Sequence, residues 1–287
     1  MTVGQTTAPR PAIRPTRRRL SAGWAALWLN VLVTFVFLYA PIVVMSVFSF
    51  NASRQMQVWM GFTLDWYVRM FHDERVRVAA ENSLIIALVS TLVSTVIGTL
   101  TALALERTRF RVKSLYEGAM YLPIIVPEIV MAIALLVFFN LTFQWLGQLF
   151  GLRLNFGLGT ITIAHIAFSF PFVAVVVRAR LADFDRTLEQ AAQDLGANDW
   201  QTFRYVTLPL LMPGIIAGAL LAFTLSIDDF VITFFNAGVG STTLPLEIYG
   251  RVRRGITPDV NALSTVLLLA SMLLVLGSLA LQRRRST

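Results

Sequence analysis

The chain has 287 residues, 56% of them hydrophobic and only 14% charged, with a mean hydropathy of +0.69; this excludes an ordinary soluble domain and indicates an integral membrane protein. Cysteine is absent and the two histidines, His72 and His165, stand isolated, so disulfides, thiolate metal sites, iron–sulfur clusters and a histidine metal cluster are excluded. The single lysine, Lys113, follows Val112, so the Gly-Lys-Ser/Thr core of a phosphate-binding loop is missing, and the net charge of +8 has to be read by position.

Residues 1–20 hold Arg10, Arg14, Arg17, Arg18 and Arg19 with three prolines and no acid, which reads as a disordered basic tail. The apolar run from about Ala22 to Phe50 exceeds a signal-peptide core and is taken as a first, retained span. Residues 51–80 are mixed and contain GFTLDWYVRMF, a candidate short amphipathic helix along the outer surface with its aromatics at the interface. A second span follows from about Ser83 to Leu105, rich in Ser, Thr and Gly at spacings that let helices approach closely. After the basic loop RTRFRVK comes a third, about Leu115 to Thr142, where Pro123 and Pro127 remove backbone donors and predict a kink. Glu128 then falls near the middle of that span, where an ionised carboxylate costs roughly 2.5–3.5 kcal/mol. It either caps the N–H groups freed beside the proline or serves a pathway. The fourth span, about Thr160 to Val177, contains Pro171 and His165, the latter read as a hydrogen-bonded interior residue rather than a ligand.

A polar island, Asp185 to Pro209, separates the fourth span from the fifth. Leu188, Ala191, Ala192 and Leu195 recur at helical spacing as an apolar stripe, with Glu189, Gln190, Gln193 and Asp194 on the opposite side. Asp185 supplies an acceptor for the first free N–H groups, and Gly196 suits the left-handed residue that ends a helix. A second short helix is predicted from Asn198, with Gln201 completing a capping box and Trp200, Phe203 and Val206 following until Pro209 stops the pattern. By itself such a unit is a surface helical hairpin. A DNA-reading helix-turn-helix shares the outline, but a segment closely flanked by two spans does not easily reach a major groove.

The fifth span, about Leu210 to Phe235, carries Asp228 and Asp229 some 19 residues beyond Pro209, roughly 29 Å along a helix. On a regular helix the two point about 100° apart, so one can face a pathway while the other seals a subunit contact. A loop, 236–260, bears Arg251, Arg253 and Arg254, a solvated or docking face. The sixth span runs from about Asn261 to Leu281 into a basic tail, 282–287. Of the 24 Arg and Lys residues, 16 lie on the side of the two termini and of the polar island, which predicts that side to be cytoplasmic.

The island resembles the EAA loop of permease subunits of ABC importers. The family pattern is EAA, three residues, Gly, nine residues, a β-branched residue, any residue, Leu-Pro; Ala191, Ala192, Gly196, Val206, Leu208 and Pro209 fall on it, while the usual glutamate is replaced by Gln190, with Glu189 one place earlier. The resemblance runs from GFTLDWY to the last span, and FTLSIDDFVITFF, TTLPLEIY, VRRG and TPDVNALST are similar to the spermidine/putrescine permease subunits. It implies an all-α type I importer permease of six spans in the bacterial inner membrane, both termini cytoplasmic, one domain over 21–281 with a coupling loop at about 183–208. It implies as partners a paralogous permease, two ATPase subunits that hold the ATP and Mg, and a soluble periplasmic or extracellular binding protein, with lipid around the spans and no nucleic acid. No catalytic residue, metal site or cofactor is expected in this chain. Glu189, Gln190, Ala191, Ala192, Gly196, Trp200, Phe203, Leu208 and Pro209 are the expected ATPase-coupling residues, and Asp228, Asp229 and Glu128 the expected substrate-pathway acids. The acids fit a polycationic substrate, which needs anionic partners once dehydrated. Two rivals stand beside this reading: the same architecture carrying another cargo, ferric ion, thiamine or an anion, and a proton-coupled secondary transporter needing no ATPase, which also uses buried acids but against which the EAA spacing argues. A structural role for the Asp pair, in ion pairs with the outer arginines or with the partner permease, is the remaining alternative.

Overall fold

The computed structural model describes residues 22–54, 58–108, 111–255 and 257–283; the predicted tail 1–20, positions 109–110 of the basic loop and residues 284–287 lie outside them. The chain divides into two units that meet after Val47. The first consists, as described, of one helix, α1 (Ala22–Phe48, its last residue in the second unit), apolar on every side and with its side chains largely open. An apolar helix without a packed face belongs in lipid or against another chain.

The second unit is all helical. In order it contains α2 (Asp65–His72), α3 (Glu74–Arg107), α4 (Lys113–Ile125), α5 (Glu128–Phe150), α6 (Leu158–Ala182), α7 (Thr187–Asp194), α8 (Asp199–Thr202), α9 (Leu208–Ile227), α10 (Val231–Asn236), α11 (Leu244–Arg254) and α12 (Pro258–Arg283). Six helices among the described residues are long and apolar enough to span a membrane: α1, α3, α5, α6, the continuous rod from α8 to α9, and α12. The short amphipathic helix expected within 51–80 is α2, whose Trp66 and Met70 are buried.

The centre is the close packing of α3, α6 and α9. Gly98 of α3 lies so near α6 that a Cβ there would stand 2.7 Å from both the Phe170 carbonyl oxygen and the Val173 side chain. On the other side of Val173, a Cβ on Gly218 of α9 would come within 3.0 Å of it. In lipid, where apolar burial gives helices little reason to associate, small residues secure packing by letting backbones approach. Ala102, Val173, Val177, Leu181, Leu211 and Ala222 fill the same seam and are buried. A second cluster joins α5, α6 and α10 through Ala132, Phe139, Ala164 and Ile232.

Several expected boundaries move. The second span begins at Glu74 rather than Ser83, because Asp73 caps α3 by accepting from the Arg75 N–H at 2.9 Å. The third is interrupted rather than kinked: Val126 and Pro127 are extended, with ψ of 134° and 135°, because a residue before proline avoids the helical region and the proline has no N–H to give. Glu128 is therefore the first residue of α5, not a mid-span residue. Pro209 does not end its helix. Residues 203–207 form a π turn in which Leu208 N–H reaches back to Phe203 O, and this widened turn leads into Pro209 within the first turn of α9, where a missing N–H costs least. The fifth span is not regular through 235, since α9 stops at Ile227 and α10 starts at Val231. The 236–260 loop contains α11, and the turn that precedes it is tied to α3 by Asn82, which donates to the carbonyls of Gly240 and Thr242 at 3.1 and 2.9 Å.

Candidate functional site

Two constructions stand out, a helix pair at one end of α9 and a buried acid cluster at the other. The pair is α7 and α8, joined through Gly196. Asp185 accepts from the Thr187 N–H at 2.9 Å, and Asn198 and Gln201 exchange the two bonds of a capping box, each 2.9 Å. Between them Ala197 N–H bonds to Ala192 O and Gly196 N–H to Gln193 O, the double closure that terminates a helix when the residue after the cap is left-handed. Gly196 has a φ of +90°, and a Cβ added there would meet open space.

α7 departs from the simplest amphipathic expectation at Glu189 and along most of its apolar stripe, while Gln193 and Asp194 are exposed as expected. Glu189 turns inward, where its carboxylate takes the Arg107 guanidinium at the end of α3 and the Thr207 hydroxyl of the π turn. Leu188, Ala191 and Leu195 point outward with Gln190, Leu195 being 91% exposed. Trp200, 66% exposed, packs its ring 5.8 Å from that of the half-buried Phe203, and Tyr205 is also open. Ala192 and Leu208 are half-buried beneath this surface and Pro209 is exposed. Apolar residues stand outward because the neighbouring helix ends supply charge rather than an apolar bed: Arg178 of α6 bonds Glu117 of α4 at 2.6 Å and approaches Glu106 of α3 at 3.6 Å. An exposed patch of aliphatic and aromatic groups on a rigid cap is the chemistry of a protein contact. The Arg107–Glu189 link was missed because it joins residues 82 apart. Its only signal in the sequence is an arginine at the end of a span.

At the far end of α9 the Asp pair separates. Asp228, the C-cap of α9, is exposed and accepts from the Ser271 hydroxyl of α12 at 3.0 Å. Asp229 is buried, 7% exposed, and occupies the break. Its Oδ1 receives the Thr233 N–H at 2.8 Å, the Thr233 hydroxyl at 2.9 Å and His165 Nε2 at 3.1 Å, while Oδ2 receives the Ile232 N–H at 3.2 Å. Asp229 thus caps α10, which is why the chain can stop and restart a helix here without glycine or proline. The Glu128 carboxyl, presented by the other break, lies beside that of Asp229. Two carboxyls so placed repel when both are ionised and are relieved by a cation or a proton between them. The fold therefore unites Glu128 and Asp229 and leaves Asp228 apart.

His165 completes the cluster. It is 2% exposed, as expected of an interior residue, and its Nδ1 lies 2.7 Å from the Ser226 hydroxyl, itself 3.0 Å from that of Ser90 on α3. Its contact with Asp229 was not anticipated; the available signal was a lone imidazole in an apolar span, which must find partners. Arg251 of the 236–260 loop is engaged elsewhere than at the Asp pair: it binds Asp73, Glu247 and Asp259 at 2.6, 2.8 and 3.2 Å.

Comparisons with known proteins agree with this architecture. The chain is 42% identical over 252 residues to the spermidine/putrescine transport system permease protein PotC of Escherichia coli K12, covering 88% of this chain and 92% of that one. It is 40% identical over 239 residues to the putrescine transport system permease protein PotI of the same strain, covering 83% and 84%. Among solved structures, that of a bacterial ABC transporter involved in the import of the acidic polysaccharide alginate superposes with a TM-score of 0.75 at 20% identity, over 93% of this chain and 98% of the other, which establishes the fold. The model of the binding-protein-dependent transport system inner membrane component matches residues 94–284, two thirds of the sequence, and with it the chain belongs to that family of permeases.

Proposed function

We propose that this chain is the permease subunit of an ATP-driven ABC importer that carries polyamines, such as spermidine and putrescine, across a bacterial inner membrane. The observation that carries the cargo assignment is the identity of 42% to a protein named for spermidine and putrescine, over nearly all of both chains. The fold alone does not choose a cargo, since an alginate importer shares it. The chemistry of the break supports the choice: Glu128 and Asp229 stand side by side, an arrangement an ammonium group relieves. Asp228, open beside α12, offers a further anionic point for a cargo with several such groups.

On this reading the chain pairs with a paralogous permease, two ATPase subunits and a binding protein on the outer side, with both termini and the helix pair in the cytoplasm. ATP and Mg reside on the ATPase. Its surface receives Gln190, Ala191, Leu195 and Trp200, with Ala192, Phe203, Leu208 and Pro209 shaping the support behind them and Gly196 setting the angle. Glu189 serves as the tie to α3 and not as a contact with the partner.

The test is uptake of labelled polyamines into proteoliposomes holding the full transporter and its binding protein. ATP-dependent uptake that survives collapse of the proton gradient is expected. Uptake that follows the gradient and ignores ATP would favour proton coupling instead. Asp229→Asn should depress uptake more for a triamine than for a diamine, with assembly and basal ATP hydrolysis retained. Equal, unchanged uptake of both by Asp228→Asn and Asp229→Asn would remove these acids from the pathway.

A further inference from the structure

The side chain that governs how Asp229 presents its charge is on another helix. His165 of α6 touches both halves of the interrupted segment: Nδ1 meets Ser226 in the last turn of α9, and Nε2 meets Asp229 in the break and Thr233 of α10, both at 3.1 Å. Oδ1 of Asp229 is an acceptor, so Nε2 carries a proton toward it, while Nδ1 pairs with the Ser226 hydroxyl. With three donors, Oδ1 is saturated. Oδ2 accepts one backbone N–H at 3.2 Å and has its second lone pair on the side left to the neighbouring Glu128 carboxyl, which pairs with this carboxylate until a cation comes between them. The groups facing the imidazole from the packed elements are Ser90 of α3 through Ser226, Ser226 of α9, Thr233 of α10, and Asp229 with Glu128 of α5 behind it. None of these is a cation.

Resting on the polyamine pathway reading, we infer that His165 is a positioning residue for cargo recognition: its Nε2–H fixes Asp229 Oδ1, leaving Oδ2 as the oxygen offered to an ammonium group of the cargo. Thr233 assists from the same side, and the Ser226 contact sets the ring so that Nε2 meets the carboxylate. Without the imidazole donor Oδ1 keeps only the two Thr233 bonds, so the carboxylate is held less firmly about its terminal torsion and Oδ2 is presented less consistently to the incoming ammonium group.

The two amides that mimic the two ring nitrogens separate this role from packing. In His165→Gln the amide N–H reaches about where Nε2 stands; in His165→Asn it reaches only about where Nδ1 stands. Uptake of a diamine and a triamine is measured in proteoliposomes of the complete transporter at saturating binding protein, with ATP hydrolysis and subunit assembly followed in parallel. His165→Gln is expected to stay near the wild-type rate. His165→Asn is expected to lose about tenfold, the loss of one hydrogen bond to a charged group, with the larger loss for the triamine and basal hydrolysis retained. Added to Asp229→Asn, His165→Asn should cost nothing more, since it acts through that carboxylate. Equal behaviour of the two amide variants, or additive losses in the double variant, would overturn the proposal. If His165→Asn fails to assemble, Thr233→Val, which strips the hydroxyl donor from the same oxygen, must reproduce the charge-dependent loss or the proposal falls. A wild-type transporter that carries no polyamine would instead refute the cargo assignment.

Discussion

Replacement of Gly196 isolates the geometry of the helix pair from everything else in the chain. At a φ of +90° an L side chain is strained, by roughly 1–2 kcal/mol for alanine and up to about 3 kcal/mol for a β-branched residue. A Cβ would meet open space, so no clash adds to this. The two bonds that close α7, from Gly196 and Ala197, are made at an exposed surface, and water replaces them at little cost if the bend opens. The strain is thus the whole perturbation, and 1.4 kcal/mol is a factor of ten in the population of the native bend. Asparagine tolerates the left-handed region better than alanine, and valine tolerates it worst. The expected order of transport per ATP hydrolysed is therefore Gly, Asn, Ala, Val, with the subunit inserted and assembled throughout. Cargo uptake and phosphate release measured together in proteoliposomes give that ratio, and co-purification of the subunits reports assembly. A valine variant with a normal ratio would refute the role of the bend; an asparagine variant as impaired as valine would show that side-chain bulk, not φ, is what the site resists.

Other expectations are as specific. Gln190 is exposed on α7, so Gln190→Glu should leave stability within about 0.5 kcal/mol of wild type and coupling nearly unchanged; a large change in transport per ATP would mean that charge at this position is read by the ATPase. Gly98→Ala would bring a methyl group into the Phe170 carbonyl and Val173, forcing α3 and α6 apart at a cost of about 1–3 kcal/mol, to be read as a lowered unfolding temperature in detergent. Burial alone would raise the Asp73 carboxyl, but the Arg251 guanidinium and the Arg75 N–H outweigh it and hold it below its ordinary value of 3.8. A lowered folded-state value stabilises fully above the unfolded value and is lost as pH falls through the folded one, so the stability gap between wild type and Arg251→Leu should be constant down to about pH 4 and shrink below it. A gap that stays constant down to pH 3 would show that Asp73 contributes nothing to the Arg251 ion pairs.

The parts of this molecule legible in the sequence are those decided within a few residues. Asn198 with Gln201, Asp185 before α7 and Gly196 after it are local chemistry, and each forms the bond its spacing predicts. The long apolar runs likewise reveal the spans, because hydrogen bonding in lipid leaves a helix as the natural choice. Prolines are less legible, since their effect depends on what surrounds them. Pro127 breaks a helix, Pro171 sits buried within an unbroken α6, and Pro209 is absorbed by a π turn. The break at Asp228 to Phe230 carries no breaker at all; it exists because Asp229 finds His165 and caps α10, a partnership across 64 residues that no local window contains. Glu189 misled for the same reason, as its inward turn is determined by Arg107.

The two constructions are mechanically continuous. From Asp199 to Ile227 the chain is one helix of 29 residues, about 43 Å long, with the helix pair at one end and Ser226 and the Asp pair at the other. The Gly98, Val173 and Gly218 contacts clamp it to α3 and α6 at backbone distance, where close packing resists sliding of one helix past another. The same α3 carries Arg107, bound to Glu189 of α7, at one end and Ser90, beside Ser226, further along. Rigid rods change shape at their interruptions. Here those are the Gly196 bend, the breaks after Ile125 and Ile227, and the π turn, and the acids Glu128 and Asp229 stand at two of them. Strain at Gly196 and charge removal at Asp229 therefore act on opposite ends of one helix. The first should lower transport per ATP equally for every cargo, while the second should change the discrimination between a diamine and a triamine and leave basal hydrolysis alone.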